Sequence, residues 1–239
     1  SEHGEFTRGS IGDAGESYRV ETFGRIVGVT RQVIINDDLD ALTRLPRAFG
    51  TQAAQLESDL VWGQILSNPT MGDGKTLFHA GHKNLGNAGA IGVDTVAKGR
   101  LAISQQTGLD GKTVLNLAPT YLIVPGTLVL SAEQLLGQIY AAKTDDAVPD
   151  SMKKLQLISD PRLDLGIARL SIAGSASAWY MAASPSQIDM IELAYLDGNQ
   201  GVYTETRQGF DIDGVEIKVR LDVGAKAIDH RGFYKVPSA

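Results

Sequence analysis

Residues 215–223 read Val215-Glu216-Ile217-Lys218-Val219-Arg220-Leu221-Asp222-Val223, aliphatic side chains alternating with charged ones without a break. A strict period of two predicts a strand with one buried face and one wet face. Asp213-Gly214 stands before it, with Phe210 and Ile212 earlier still, the pattern of a hairpin turn or a bulge. Downstream the chain runs through Gly224, Ile228, His230 and Gly232 to Phe233-Tyr234-Lys235. The segment 193–234 therefore ends the chain in a sheet that carries no catalytic constellation. That points first to a structural protein.

Working outward, composition sets the bounds. The chain has 239 residues, 43% hydrophobic and 21% charged, enough for one large domain or two small ones with a real core. Cysteine is absent, which excludes disulfides, thiolate metal sites and cysteine nucleophiles. The net charge of -6 argues against sequence-independent nucleic-acid binding. No apolar run approaches the length of a membrane span. The first residues carry Glu2, Glu5 and Arg8 and no apolar segment, so no signal peptide is expected. Ser1, not Met, opens the chain, compatible with processing or with a cut made for expression.

Residues 1–17 are polar and dotted with glycine, and Gly12-Asp13-Ala14-Gly15-Glu16 reads as a turn between two extended arms. Tyr18 to Ile35 is rich in β-branched and aromatic residues and predicts strand. Together they suggest a long hairpin projecting from the body. Asn36-Asp37-Asp38 forms a helix N-cap signal. Leu39, Leu42, Leu45, Phe49, Ala53, Leu56, Leu60 and Ile65 then follow at helical spacing. They predict an amphipathic helix of roughly 30 residues, on the order of 45 Å long, ended by Asn68-Pro69 and with its first turns broken at Pro46. Residues 70–93 are glycine-rich and irregular. Asp94 is expected to cap a helix through Val96, Leu101 and Ile103, closed by Gly108 and the turn Asp110-Gly111. Tyr121 to Val124, between Pro119 and Pro125, reads as a buried strand. Ser131-Ala132-Glu133-Gln134 is a capping box opening a helix to about Ala142, with a polar loop over 143–154. Leu155 to Ser159, Ala178 to Ala183 and Ile188 to Leu196 read as strands, with turns at Ser184-Pro185-Ser186 and at 197–201. The class is α+β, two or three helices against antiparallel strands.

Candidate chemistry is thin. His79-Ala80-Gly81-His82 would need Asp73 or His230 to make a metal site, and its spacing does not match the helical zinc pattern; hydrogen-bonded loop histidines explain it better. Met71-Gly72-Asp73-Gly74-Lys75-Thr76 echoes the end of a phosphate loop, but the first glycine of that motif would fall on Pro69 and the segment follows a helix. Asp211 to Glu216 lacks calcium-loop offsets. No Gly-x-Ser-x-Gly elbow occurs. Asp37-Asp38 and Asp145-Asp146 read as a cap and a solvated face, and Trp62 and Trp179 as core. No catalytic residue, cofactor or metal is expected.

Several stretches taken together resemble a known family. Phe23-Gly24-Arg25-Ile26, Thr30-Arg31-Gln32 and Asn36-Asp37-Asp38-Leu39 resemble the start of the capsid region in tailed-phage major capsid proteins, with Mu-like prohead-protease–capsid fusions the nearest group. The similarity continues through Leu77-Phe78-His79, Leu115 to Pro125, Trp179 to Ala182, Asp213 to Glu216 and Asp229 to Lys235. The resemblance implies a Hong Kong 97-type fold. Residues 1–36 would be the N-terminal arm and extended hairpin, 37–69 the spine helix of the peripheral domain, 70–187 largely the axial domain, and 188–239 the returning peripheral strands.

It further implies a head shell of homo-pentamers and homo-hexamers in an icosahedral virion, assembled in the host cytoplasm. The shell would enclose double-stranded DNA without binding it specifically. Portal, scaffold or protease segment, and decoration proteins would be its partners. Some relatives weld their shells through a lysine of the extended loop; here no lysine precedes Lys75, so no such crosslink is expected. Arg8, Arg19 and Arg25, on the projecting part of an acidic chain, are expected to make inter-subunit ion pairs. Two other readings stand beside this one. The first is a compartment shell of the same fold that encloses protein cargo. The second is a metal-assisted hydrolase using His79, His82 and a carboxylate.

Overall fold

The computed structural model describes residues 15–36, 39–137, 154–209 and 213–238, with the backbone alone for 39–43. Strand β1 (Glu21–Thr30) leads into a short helix α1 (Arg31–Ile35) and the long helix α2 (Leu39–Ser67). Helix α3 (Val93–Ser104), strand β2 (Pro119–Val124) and helix α4 (Val129–Gly137) follow. Then come β3 (Gln156–Ser159), α5 (Pro161–Leu165), β4 (Trp179–Ala183), β5 (Ile191–Tyr195), β6 (Tyr203–Gly209), β7 (Gly214–Ala227) and β8 (Phe233–Val236). Among the described residues no helix is long and apolar enough to cross a membrane.

The alternating stretch is the centre of the first sheet. β7 pairs antiparallel with β1 along one edge, from Glu21 opposite Val223 to Thr30 opposite Gly214. Its other edge is shared end to end by β6, paired over 214–220, and β5, paired over 223–227. The second sheet has the order β3-β2-β4-β8, with β2 and β3 parallel and the other pairs antiparallel.

Three apolar clusters hold these parts together. Val96 and Ile103 of α3 and Ala132 and Leu135 of α4 cover one face of the second sheet against Leu122, Val124, Trp179 and Met181. On its other face Tyr180, Ala182 and Phe233 meet Leu77, Phe78 and Ile65 near the end of α2. Leu56 of α2 sits on Leu221 and Val223 of β7, with Phe23, Ala53 and Leu60 around it. Trp62 and Trp179 both belong to this packing, and Trp179 is fully buried with its indole N–H donated to the Gly89 carbonyl at 3.1 Å.

Several local expectations are corrected. The strand run expected to reach Ile35 stops at Thr30, the last residue of β1 in register with β7, opposite Gly214. After one last bond from Arg31 N–H to the Asp213 carbonyl (2.6 Å), the backbone satisfies itself as helix α1. Helix α2 runs through Pro46, which is exposed, so solvent can take up the carbonyl left free by the missing amide. Gly92, not Asp94, caps α3: its N–H is donated to Thr95 Oγ1 at 3.0 Å, and Asp94 lies in the first turn. Ser131 is inside α4. The chain enters that helix from a 3₁₀ turn at Gly126–Leu128, whose first two amides are taken by the Asp164 carboxylate at 2.5 and 3.2 Å. A distant side chain has replaced the local capping box. Asp222, expected on the wet face, is buried and accepts a hydrogen bond from Thr22 Oγ1 at 2.5 Å.

The turn at Gly12, the Asp37-Asp38 cap, the helix end near Ala142, Asp145-Asp146 and the loop over 143–154 lie outside the described residues, as do Phe210, Asp211 and Ile212. The partner seen for β1 is β7, and β6 closes a hairpin onto β7 with Gly209 opposite Gly214.

Candidate functional site

The register of β1, β7 and β6 sorts their side chains onto two faces, because residues directly opposite each other point the same way. Phe23, Arg25, Val27 and Val29 share a face with Leu221, Val219, Ile217 and Val215. This is the side on which α2 packs. The other face carries Thr22, Gly24, Ile26 and Gly28 on β1, Asp222, Arg220, Lys218 and Glu216 on β7, and Tyr203, Glu205 and Arg207 on β6.

Beyond the buried Asp222 at one end, that second face has no covering layer among the described residues. Ile26 is 59% exposed and lies in a groove of about 180 Å³ between Glu205, Arg207, Glu216 and Lys218. Gly24 and Gly28 flank it on the same face. Arg207 Nε reaches Glu216 Oε2 at 2.5 Å, Lys218 pairs with Glu205, and the Arg220 guanidinium lies 4.7 Å over the Tyr203 ring. The Lys218 ammonium holds the Glu205 carboxyl below the ordinary carboxylate range. Tyr203 to Gln208 of β6 are all exposed. The outer edge of β1 has no strand partner among the described residues. A three-stranded ribbon with a bare face and a free edge is marginal by itself, and exposed edges invite pairing. At the end of the ribbon where β1 meets α1, Val33, Ile34 and Ile35 are exposed too.

Arg19 lies just ahead of β1 and is exposed. Its carbonyl comes so close to Gly224 that a Cβ there would stand 2.6 Å away, so the lead into β1 is pressed onto β7. Arg25 is exposed within β1. Neither arginine makes an ion pair among the described residues, and Arg8 lies outside them. Sequence reasoning placed these two arginines on the projecting element but missed Ile26, Tyr203, Glu205 and Arg207. The available signal was an aliphatic residue two places from a glycine on either side, Gly24 and Gly28, in a strand.

The histidines converge elsewhere. A cleft of about 690 Å³ is lined by Glu16, Asp73, His82, Gln106, Asp229 and His230, among others. His82 and His230 stack with ring centroids 3.7 Å apart and planes 11° from parallel. His82 Nε2 is 2.8 Å from Asp73 Oδ2, and its Nδ1 is 3.2 Å from the Leu77 carbonyl oxygen. His79 Nδ1 accepts the Gly81 N–H at 2.9 Å. The His82 hydrogen bond, then the Lys75 amide, hold the Asp73 carboxyl well below the usual carboxylate range. Burial first, and the neighbouring His82 second, push the His230 imidazole down to about 4. Buried Asn84 ties the same loops: it accepts from His79 N–H and donates to the carbonyls of Leu77 and His230. Among the described residues no group of three His, Cys, Asp or Glu gathers to hold a metal ion. The geometry gives the hydrolase reading no support, because both His82 ring nitrogens and His79 Nδ1 are already engaged. The Met71–Thr76 segment is a tight turn closed by a Thr70–Thr76 bridge.

Residues 15–236 match the family described as phage capsid protein. The chain belongs to that family. Among curated proteins none matches it. The capsid of a native GTA particle is similar to this capsid protein at TM-score 0.60 and 10% identity, covering 92% of this chain and 73% of that one. The capsid of Myoviridae phage XM1 aligns at TM-score 0.58 and 11% identity over 92% and 74%. The holo-SrpI encapsulin complex of Synechococcus elongatus PCC 7942 aligns at TM-score 0.54 and 12% identity over 90% and 72%. At such identities the likeness is one of fold, and it agrees with the α+β capsid fold of Hong Kong 97 type. This capsid protein is accordingly a phage head-shell protein.

Proposed function

We propose that copies of this chain gather as pentamers and hexamers and close into an icosahedral head around double-stranded DNA, in the manner of the Mu-like prohead-protease–capsid fusions. The observation that carries this is the uncovered β1–β7–β6 ribbon on a chain of the capsid family. Helix α2 then serves as the peripheral spine, residues 70–187 largely as the axial domain, and 188–239 as returning strands, with β8 lent to the middle segment's sheet. Residues 1–36 supply the arm and part of the projecting element. Arg19 and Arg25, both exposed, meet acidic groups of a neighbouring copy, and Arg8 joins them. Portal, scaffold or protease segment, and decoration proteins are its further partners in the host cytoplasm. DNA is held without specific contacts, in keeping with the net charge of -6.

Sedimentation velocity of the purified chain, backed by negative-stain microscopy, tests this. Pentamers, hexamers or closed particles support it; a strict monomer or dimer across concentration and salt counts against it. A compartment shell with protein cargo is the second reading, favoured by the likeness to the encapsulin. Co-purifying protein without nucleic acid inside closed particles would select it.

A further inference from the structure

His82 belongs to the connector that leads from α2 to α3, and His230 to the connector that leads from β7 to β8. The first leads from the helix packed on β7 to the helix packed on the second sheet, the second joins the two sheets directly, and they meet face to face at the two imidazoles. His79 stands at the same place, its ring 6.0 Å from that of His82. Three of the four histidines of the chain are thus gathered at one joint between the sheets. We propose that the stacked His82–His230 pair is an acid-sensitive joint, which holds the connectors together while the His230 ring is neutral and releases them when that ring gains a proton.

The physical reason is the surroundings of the pair. Two parallel rings at 3.7 Å tolerate one positive charge far better than two. On the side of the first connector, His230 faces His82 and Asp73, and Asp73 is shared with Lys75. Lys83 lines the same cleft. On its own turn it faces Asp229 and Arg231, which are bound to each other. From the lead into β1, Glu16 lines the cleft, bound to Gly72 N–H at 2.6 Å and to Lys226 Nζ at 3.5 Å. The α3 end contributes only neutral Gln105 and Gln106. The nearby carboxylates already have partners, so the pull of Asp229 and Asp73 on a proton at His230 is outweighed by burial and by His82. The sign follows. The folded His230 prefers to stay neutral, so closure is favoured above the ordinary histidine range near 6.5 and weakens as pH falls toward about 4.

The joint does not depend on assembly, so the test reads the chain whether or not it forms shells. Amide hydrogen exchange of the full chain is followed between pH 7.5 and 5 and corrected for intrinsic exchange. Protection of the amides in 77–84 and 228–232 is expected to drop on the order of tenfold on acidification, while the α3 core holds. His230→Phe, which keeps a stacking ring but cannot titrate, should abolish that drop. An equal drop in the variant, or none in the wild type, overturns the proposal. If the variant does not fold, proton NMR of the wild-type histidines decides. A His230 that titrates well below His79 and perturbs the His82 resonance supports the joint; a His230 with an ordinary, uncoupled titration overturns it.

Discussion

Asn68 closes helix α2 by pairing its side chain with the backbone of Phe78 as a strand would. The Phe78 N–H is donated to Asn68 Oδ1 at 2.6 Å, and Asn68 Nδ2 donates to the Phe78 carbonyl at 3.2 Å. Asn68 itself sits in the left-handed region with φ 51°, a conformation asparagine tolerates. Asn68→Ala loses both bonds and keeps the strain. It should destabilise the chain by about 2 kcal/mol, with Asn68→Gly losing the bonds but not the conformation and falling between. Denaturant titration of the three chains would show the order wild type, Gly, Ala, and equal losses for both variants would contradict the account.

Gly99 lies inside α3, where alanine is normally worth about 1 kcal/mol over glycine. Here a Cβ would stand 2.7 Å from Met181 Sδ and 2.8 Å from Tyr234 Cδ1, both buried. Overpacking of about 1–3 kcal/mol should therefore outweigh the propensity gain, and Gly99→Ala should lower Tm. A raised Tm would mean that Met181 moves aside at little cost.

Asp59 is nearly buried on α2 and binds Arg162 Nε at 2.6 Å and Arg169 at 3.5 Å. Arg162 keeps Asp160 as a second partner at 3.1 Å. Asp59→Ala should cost roughly 2 kcal/mol, less than breaking an isolated buried pair because Arg162 remains half satisfied. The loss should appear in chemical denaturation and persist at high salt, since the pair is shielded from solvent.

Charge reversal at both ribbon arginines, Arg19→Glu with Arg25→Glu, should leave monomer stability within about 0.5 kcal/mol, because both are exposed. Assembly should fall sharply, since a contact of about 0.2–1 kcal/mol is repeated at every copy of a shell. Sedimentation profiles with normal closed particles would refute the role given to these residues.

Residues 1–36, which hold the projecting element, carry no lysine, so shells assembled from this chain should show no covalent ladder on a denaturing gel. A ladder of covalent oligomers would show a crosslink rooted in another part of the chain.

The sequence by itself determined the elements whose own side chains carry the pattern. The alternation in 215–223 gave β7, the stripe from Leu45 through Ile65 gave α2, and the apolar run at 121–124 gave the centre of the second sheet. In the first two one face is buried, so the period survives in the residues; in the third both faces are buried, so the run is continuously apolar. The same rule explains the misses. β6 was illegible because neither of its faces is buried and Tyr203 to Gln208 show no apolar period. Val33 to Ile35 look like strand, but the pairing of β1 with β7 ends at Thr30 opposite Gly214 and the chain turns into α1 there, which only the tertiary register reveals. The amides of the turn that leads into α4 are taken by Asp164, far along the chain, which local spacing cannot foresee. Tertiary structure likewise decided the fate of the histidines. Residues 82 and 230 are remote in sequence, and only the meeting of two connectors made them a stacked pair.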